Sequence, residues 1–237
     1  MLEVTTVTYQ GLRGRLVRPE QPNGGGVLLM PGWAGLEAGS DRCSQELAGA
    51  GFTVLGWDPF SAHPEDVSAE VRRRVTQGEL TDVAARAEHV TWLDYLEREQ
   101  GVTGFGTIGF CMGGRMSIHL PAGDARIRGV AAYYPTLRDK VPAWGIDPTV
   151  VADDIHAPIM IQYPQADRVT PPESMVRLRT ALEARPSLDT TIVQFHPQAT
   201  HGFLSFDGTR DVPDEVASRV AWPTTLAFFR ATLLDQD

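Results

Sequence analysis

Cys111 stands between two glycines in Thr107-Ile108-Gly109-Phe110-Cys111-Met112-Gly113-Gly114-Arg115, where an apolar run gives way to a glycine-opened helical pattern. A thiol in that setting is a nucleophile candidate. A sharp strand-to-helix turn lifts its side chain above a sheet, and only small residues fit on either side. Glycines around a buried cysteine also occur wherever a helix packs closely on a sheet, so GxCxG needs support from elsewhere in the chain. A thiol near its ordinary pKa is mostly protonated at neutral pH and needs a base or a positive charge beside it. His201, in Gln198-Ala199-Thr200-His201-Gly202-Phe203, follows the last strand-like run and is the base candidate. His63, His89, His119, His156 and His196 fall in loops, helices or strand ends without that relation. Asp167, in Pro164-Gln165-Ala166-Asp167-Arg168-Val169-Thr170-Pro171, could accept a hydrogen bond from the imidazole and fix its tautomer. A turn aspartate and a solvated loop histidine are the plainer alternatives. Against them stands the chain order of nucleophile, acid and histidine.

Acyl transfer also needs donors for a developing oxyanion. One is expected from the backbone N–H of Met112, the residue after the nucleophile, and the other from Trp33 in Pro31-Gly32-Trp33-Ala34-Gly35-Leu36, after an early central strand. Neither Gly24 to Gly26 nor Gly113-Gly114 completes a phosphate-binding glycine signature, and no cofactor or metal is expected. Cys43 lies in a helical pattern without a partner motif and is assigned no function.

These residues need a scaffold that gathers the ends of several strands. Glu3 to Tyr9 and Gly14 to Arg18 read as an antiparallel hairpin at a sheet edge. Val27 to Met30, Thr53 to Trp57, Gly104 to Gly109, Gly129 to Tyr134, Ile159 to Tyr163 and Thr191 to His196 are short apolar runs suited to parallel strands covered on both faces. Helical patterns at Ser40 to Ala50, Glu79 to Glu99, Met112 to Leu120, Glu173 to Ala184 and Asp214 to Leu234 alternate with them. The expectation is a three-layer α/β fold, a mostly parallel sheet of about eight strands with an antiparallel N-terminal hairpin, in one domain over residues 1–237. Ligands of such sheets bind beyond the carboxyl ends of the strands, where Pro31 to Leu36, Cys111, Asp167 and His201 all fall.

With 21 basic and 30 acidic residues the formal net charge is −9, which argues against a nucleic-acid or anionic-membrane partner and for a small-molecule substrate. The N-terminus lacks a leader pattern and no run is long enough to span a bilayer. Two cysteines make no disulfide framework, so a reducing, cytoplasmic setting is expected. Oligomeric state is not legible.

The loop PGWAGL, GWDPF after the next strand, GFCMGG at the elbow, QADRVTP at the acid and ATHGF at the histidine together resemble the dienelactone hydrolase family, cysteine-nucleophile members of the α/β-hydrolase fold. The resemblance covers nearly the whole chain. It implies a carboxymethylenebutenolidase-like hydrolase of small esters or lactones, with Cys111 attacking the carbonyl, His201 as base and acid, and Asp167 orienting it. Two departures bear on specificity and resting state. The family's best-known members carry a glutamate where this chain has Gly32, and an arginine after the histidine where it reads Gly202-Phe203-Leu204-Ser205-Phe206. Without that arginine, neutral or weakly polar esters are the expected substrates, unless Arg72, Arg73 or Arg74 supplies a cation. Phe203 and Phe206 are candidates for an apolar wall. Without the glutamate, Cys111 is expected to face His201 as a resting ion pair, with Glu37 the nearest acidic alternative. Two other functions compete: a thiol redox protein using Cys111, and a non-catalytic small-molecule-binding homologue.

Overall fold

A computed structural model describes residues 2–234; the one-domain expectation over 1–237 therefore extends to positions outside the described residues. The eight strands are β1 (Thr5–Tyr9), β2 (Leu12–Val17), β3 (Gly25–Met30), β4 (Thr53–Trp57), β5 (Gly104–Phe110), β6 (Ile127–Tyr133), β7 (Ile159–Pro164) and β8 (Thr191–His196). They form one sheet in the order β1-β2-β4-β3-β5-β6-β7-β8. The hairpin lies at one edge as expected, but only β2 runs against the rest, since it pairs antiparallel with both β1 and β4 while every other pairing is parallel.

The fully buried strands β3 and β4 carry apolar residues toward both faces, as a sheet covered on two sides requires. Leu28, Met30, Leu55 and Trp57 pack against one helical layer, formed by α3 (Asp82–Gln100), α4 (Met112–His119) and α5 (Pro172–Ala184). Val27, Leu29, Val54 and Ile108 pack against the other, formed by α1 (Ala38–Gly49) and α6 (Val212–Leu233). Tyr133, from β6, joins that second layer and bonds through its hydroxyl to Thr225 of α6 at 2.8 Å. Strand order reverses between β3 and β5. The connections leaving their carboxyl ends therefore run to opposite sides and leave a crevice, lined by both Trp33 and Cys111.

One stretch departs from the sequence expectation. The helix expected from Glu79 begins at Asp82, capped by Thr81, whose hydroxyl accepts from the Ala84 N–H at 3.1 Å. Ahead of it lie a short helix, α2 (Ala69–Arg74), and a wide helical turn over Val75–Glu79 broken at Gly78, whose φ of +156° ends the helical path. Leu80 is extended, so the two helices are separate bodies.

Candidate active site

The turn at Cys111 has the strain expected of a nucleophile elbow: a non-glycine residue at φ +56°, ψ −115°, between the end of β5 and the first turn of α4. Close backbone approach explains its glycines. A Cβ on Gly109 would sit on the Gly113 carbonyl, and one on Gly113 would sit on the Met30 carbonyl at the end of β3. That approach lets the Gly113 N–H donate to Pro31 O at 3.2 Å, which docks the Trp33 loop on the elbow. The loop closes on itself through Gly35 N–H to Gly32 O at 3.0 Å, leaving the N–H groups of Trp33 and Met112 outside these turn hydrogen bonds.

Asp167 and His201 arrive from the ends of β7 and β8. Gln165 N–H donates to His196 O and Ala166 N–H to Ala199 O, both at 3.0 Å, so the acid and histidine loops are laced together. The Asp167 carboxylate is fully shielded from solvent. Its Oδ1 accepts from Val169 N–H (2.6 Å) and Thr170 N–H (3.2 Å), and its Oδ2 meets His201 Nδ1 at 2.8 Å. Asp214 of α6 steadies the histidine loop from behind, accepting from the Thr200 N–H and hydroxyl at 2.8 Å each.

The other ring nitrogen of His201, Nε2, is buried and has no hydrogen-bond partner among the described residues. The Cys111 Sγ instead sits 3.1 Å from Thr136 Oγ1. Cysteine and histidine are nonetheless close enough to shift each other. For Cys111, burial opposes the thiolate, but the imidazole of His201, then Thr136 and the Met112 N–H, bring the pKa below the ordinary thiol value. For His201, burial opposes the charge, but Asp167 and Cys111 overcome it and push the pKa up to about 9. Both shifts favour the resting ion pair expected from Gly32, with His201 and Thr136 each acting on Sγ. Glu37, the acidic alternative, is held by Arg72 at 3.3 Å.

Two cavities meet at Cys111, Trp33 and His201. The larger, about 920 Å³, is lined by Glu37, Tyr134, Leu204, Phe206 and Arg210 among others. The smaller, about 400 Å³, is lined by Thr136, Trp144, Val169, Arg115, Arg73 and Arg138. Arg115 is neutralised by the buried Asp82. Neither guanidinium of Arg73 or Arg138 has a carboxylate partner among the described residues, so this cavity carries cations that the segment 202–206 lacks. Within the run of three arginines, Arg72 pairs with Glu37 and Arg74 with Glu79 (2.5 Å); Arg73 alone lines this cavity. Phe206 reaches the larger cavity, whereas Phe203 is fully buried between Tyr133, Tyr134 and His196. Thr136, Asp214 and Arg138 were not singled out from the sequence. Thr136 and Arg138, like Cys111 and His201, follow the carboxyl end of a strand, and that shared position was the available signal.

The model of the dienelactone hydrolase family matches residues 12–233, and the chain belongs to that family. An Escherichia coli (strain K12) protein named "Putative carboxymethylenebutenolidase" is 34% identical over 96 residues, 40% of this chain. The chain spans about a third of that relative, 35% of its length. A "Carboxymethylenebutenolidase homolog" of Xenopus tropicalis is 22% identical over 84% of this chain and 78% of its own. Among solved structures, a dienelactone hydrolase-like promiscuous phosphotriesterase from metagenomic libraries superposes with a TM-score of 0.80 at 18% identity, covering 98% of this chain and 99% of its own. An acylaminoacyl peptidase of Pyrococcus horikoshii superposes at 0.75 with 14% identity, covering this whole chain and 42% of its own. At these identities the structural likeness speaks for the α/β-hydrolase fold. No helix among the described residues is long and apolar enough to cross a membrane.

Proposed function

We propose that the protein is a hydrolase of small carboxylic esters or lactones, of the carboxymethylenebutenolidase class, acting through Cys111, His201 and Asp167. The observation that carries this reading is the imidazole of His201, fixed through Nδ1 by a fully shielded carboxylate, with its Nε2 buried in the pocket that holds a strained, acidified thiol. In the first half-reaction the Cys111 thiolate attacks the carbonyl carbon. The N–H groups of Trp33 and Met112 receive the oxyanion, and collapse expels an alkoxide that takes the Nε2 proton from His201. A thioester and an alcohol result; in a lactone the alcohol stays on the acyl chain. His201 then removes a proton from water, which attacks the thioester, releases the acid and restores the cysteine. No step uses a cofactor or metal.

Arg73 and Arg138 shift the expected substrates from neutral esters toward those that place an anionic group in the smaller cavity. The redox alternative is weakened by Cys43, the other cysteine, which lies buried in the core with its thiol pushed up by burial and then by Glu46. Two free thiols fit a reducing, cytoplasmic setting. The test is turnover of matched aryl esters and lactones, with and without a carboxylate, by wild type, Cys111→Ala and His201→Ala. Each substitution is expected to remove nearly all turnover, without additive effect in the double variant. Undiminished turnover by Cys111→Ala would end this mechanism.

A further inference from the structure

Thr136 touches the nucleophile twice. Its N–H donates to Cys111 O at 2.9 Å, and its hydroxyl oxygen lies 3.1 Å from Sγ, with no other hydrogen-bond partner for Oγ1 among the described residues. The segment that carries it is bent sharply onto the elbow. Tyr134 adopts φ +36°, a strained value for a tyrosine, and Cys111 N–H donates to Tyr133 O at 3.1 Å.

Both neighbours of Thr136 are anchored by one buried hydroxyl. Thr170 Oγ1 donates to Pro135 O at 2.7 Å and accepts from Leu137 N–H at 3.1 Å, while the Thr170 N–H donates to Asp167 Oδ1. The loop that carries the acid therefore also holds the threonine against the thiol. A chain of contacts runs from His201 through Asp167 and Thr170 to the two neighbours of Thr136, and from Thr136 to Cys111. Gly32 also lies against the nucleophile, where a Cβ would meet Cys111 Cβ at 3.4 Å, but as glycine it offers no side-chain partner to the thiol.

We propose that Thr136 is a positioning residue for the nucleophile, its hydroxyl donating to the Cys111 thiolate and holding Sγ in its resting place. This rests on the hydrolase reading above. A hydroxyl proton directed at sulfur favours the thiolate, whereas an acidic side chain in the same place would oppose it. With Sγ so held, His201 Nε2 is available to the leaving group once the thiolate has attacked. The titratable groups facing Sγ are His201 from the loop after β8 and Tyr134 from the loop after β6. Arg73, Arg115 and Arg138 line the smaller cavity on the same side.

The experiment is the pH dependence of Cys111 alkylation by iodoacetamide without substrate, read by mass spectrometry of the Cys111 peptide, alongside kcat and KM on an aryl ester. Thr136→Val is expected to raise the alkylation midpoint by about one pH unit or more. It should lower kcat about tenfold with KM little changed, and Thr136→Ser should restore both. Should Thr136→Val lose its fold by circular dichroism, Thr136→Ala removes the same hydroxyl and is read in the same way. An unmoved midpoint in the hydroxyl-free variant, or a serine variant that behaves like it, overturns the proposal. Failure of the underlying reading looks different: wild type itself would then turn over esters without needing Cys111, or not at all.

Discussion

Replacing Asp167 by asparagine should disable the site while leaving the fold in place, and the hydrogen bonds around the carboxylate say why. Oδ1 accepts from two backbone N–H groups, at 2.6 and 3.2 Å, and only an oxygen can do so. The asparagine carbonyl must therefore take that side, which turns its NH2 toward His201 Nδ1, where Oδ2 stood at 2.8 Å. An NH2 there requires Nδ1 to be an acceptor, so the ring's proton moves to Nε2. The histidine then can neither take a proton from Cys111 nor exist comfortably as imidazolium. In a serine triad the same change costs about four powers of ten in kcat; the equivalent loss here corresponds to about 5.5 kcal/mol of transition-state stabilisation. The assay is steady-state hydrolysis of an aryl ester, with the alkylation profile of Cys111 measured in parallel, where the midpoint should rise. The fold should persist, since both backbone donors keep an acceptor, with Tm lowered below about pH 9 by loss of the carboxylate that holds the His201 charge. A loss of less than about tenfold, with the midpoint unmoved, would refute the tautomer argument.

Two further outcomes follow from buried charge. Asp82, fully buried, accepts from both Nη atoms of Arg115 and from Ile146 N–H at 2.6 Å, tying α3 and the segment 144–146 to the nucleophile's helix. Asp82→Ala strands the guanidinium and should destabilise the protein by about 3–5 kcal/mol in chemical denaturation. Proton linkage gives the second. His201, raised to about 9 from 6.5, stabilises the fold fully below pH 6.5 and gives that up as pH rises through about 9. Cys111, lowered from 9.0, acts oppositely: its contribution is present above 9.0 and is lost as pH falls through its folded value. Above pH 6.5, wherever the folded Cys111 is already a thiolate and the folded His201 is still charged, the proton counts of folded and unfolded pair cancel up to about 9. Tm of wild type relative to Cys111→Ala should therefore rise as pH climbs above the folded Cys111 pKa, because the variant gains no thiolate and its His201, without Cys111, gives up its charge at lower pH; parallel melting curves would contradict the ion pair.

The parallel strands were legible because β3 to β8 are apolar runs bounded by turn residues, and the sheet needs nothing else to declare itself. Ala69–Arg74 was not, because its polar, arginine-rich surface carries no buried face at helical spacing and none of its residues is buried. The start of α3 was misplaced because Glu79 and Leu80 extend its pattern, while Thr81 caps it only once the chain has turned. Cys111, Asp167 and His201 stood out through type and order. Thr136, 25 residues beyond Cys111, and Thr170 share no spacing with the nucleophile; their roles come from where the ends of β6 and β7 meet it.

The thioester is the claim on which the mechanism turns. Rapid mixing with an activated aryl ester, acid quench and intact-mass measurement should show one acyl group added to wild type. Peptide mapping should place it on Cys111, with Cys111→Ala unlabelled and inactive, and His201→Ala either slow to acylate or slow to clear the adduct. Full turnover by Cys111→Ala, or an adduct that maps elsewhere and clears at the rate of turnover, would contradict the mechanism.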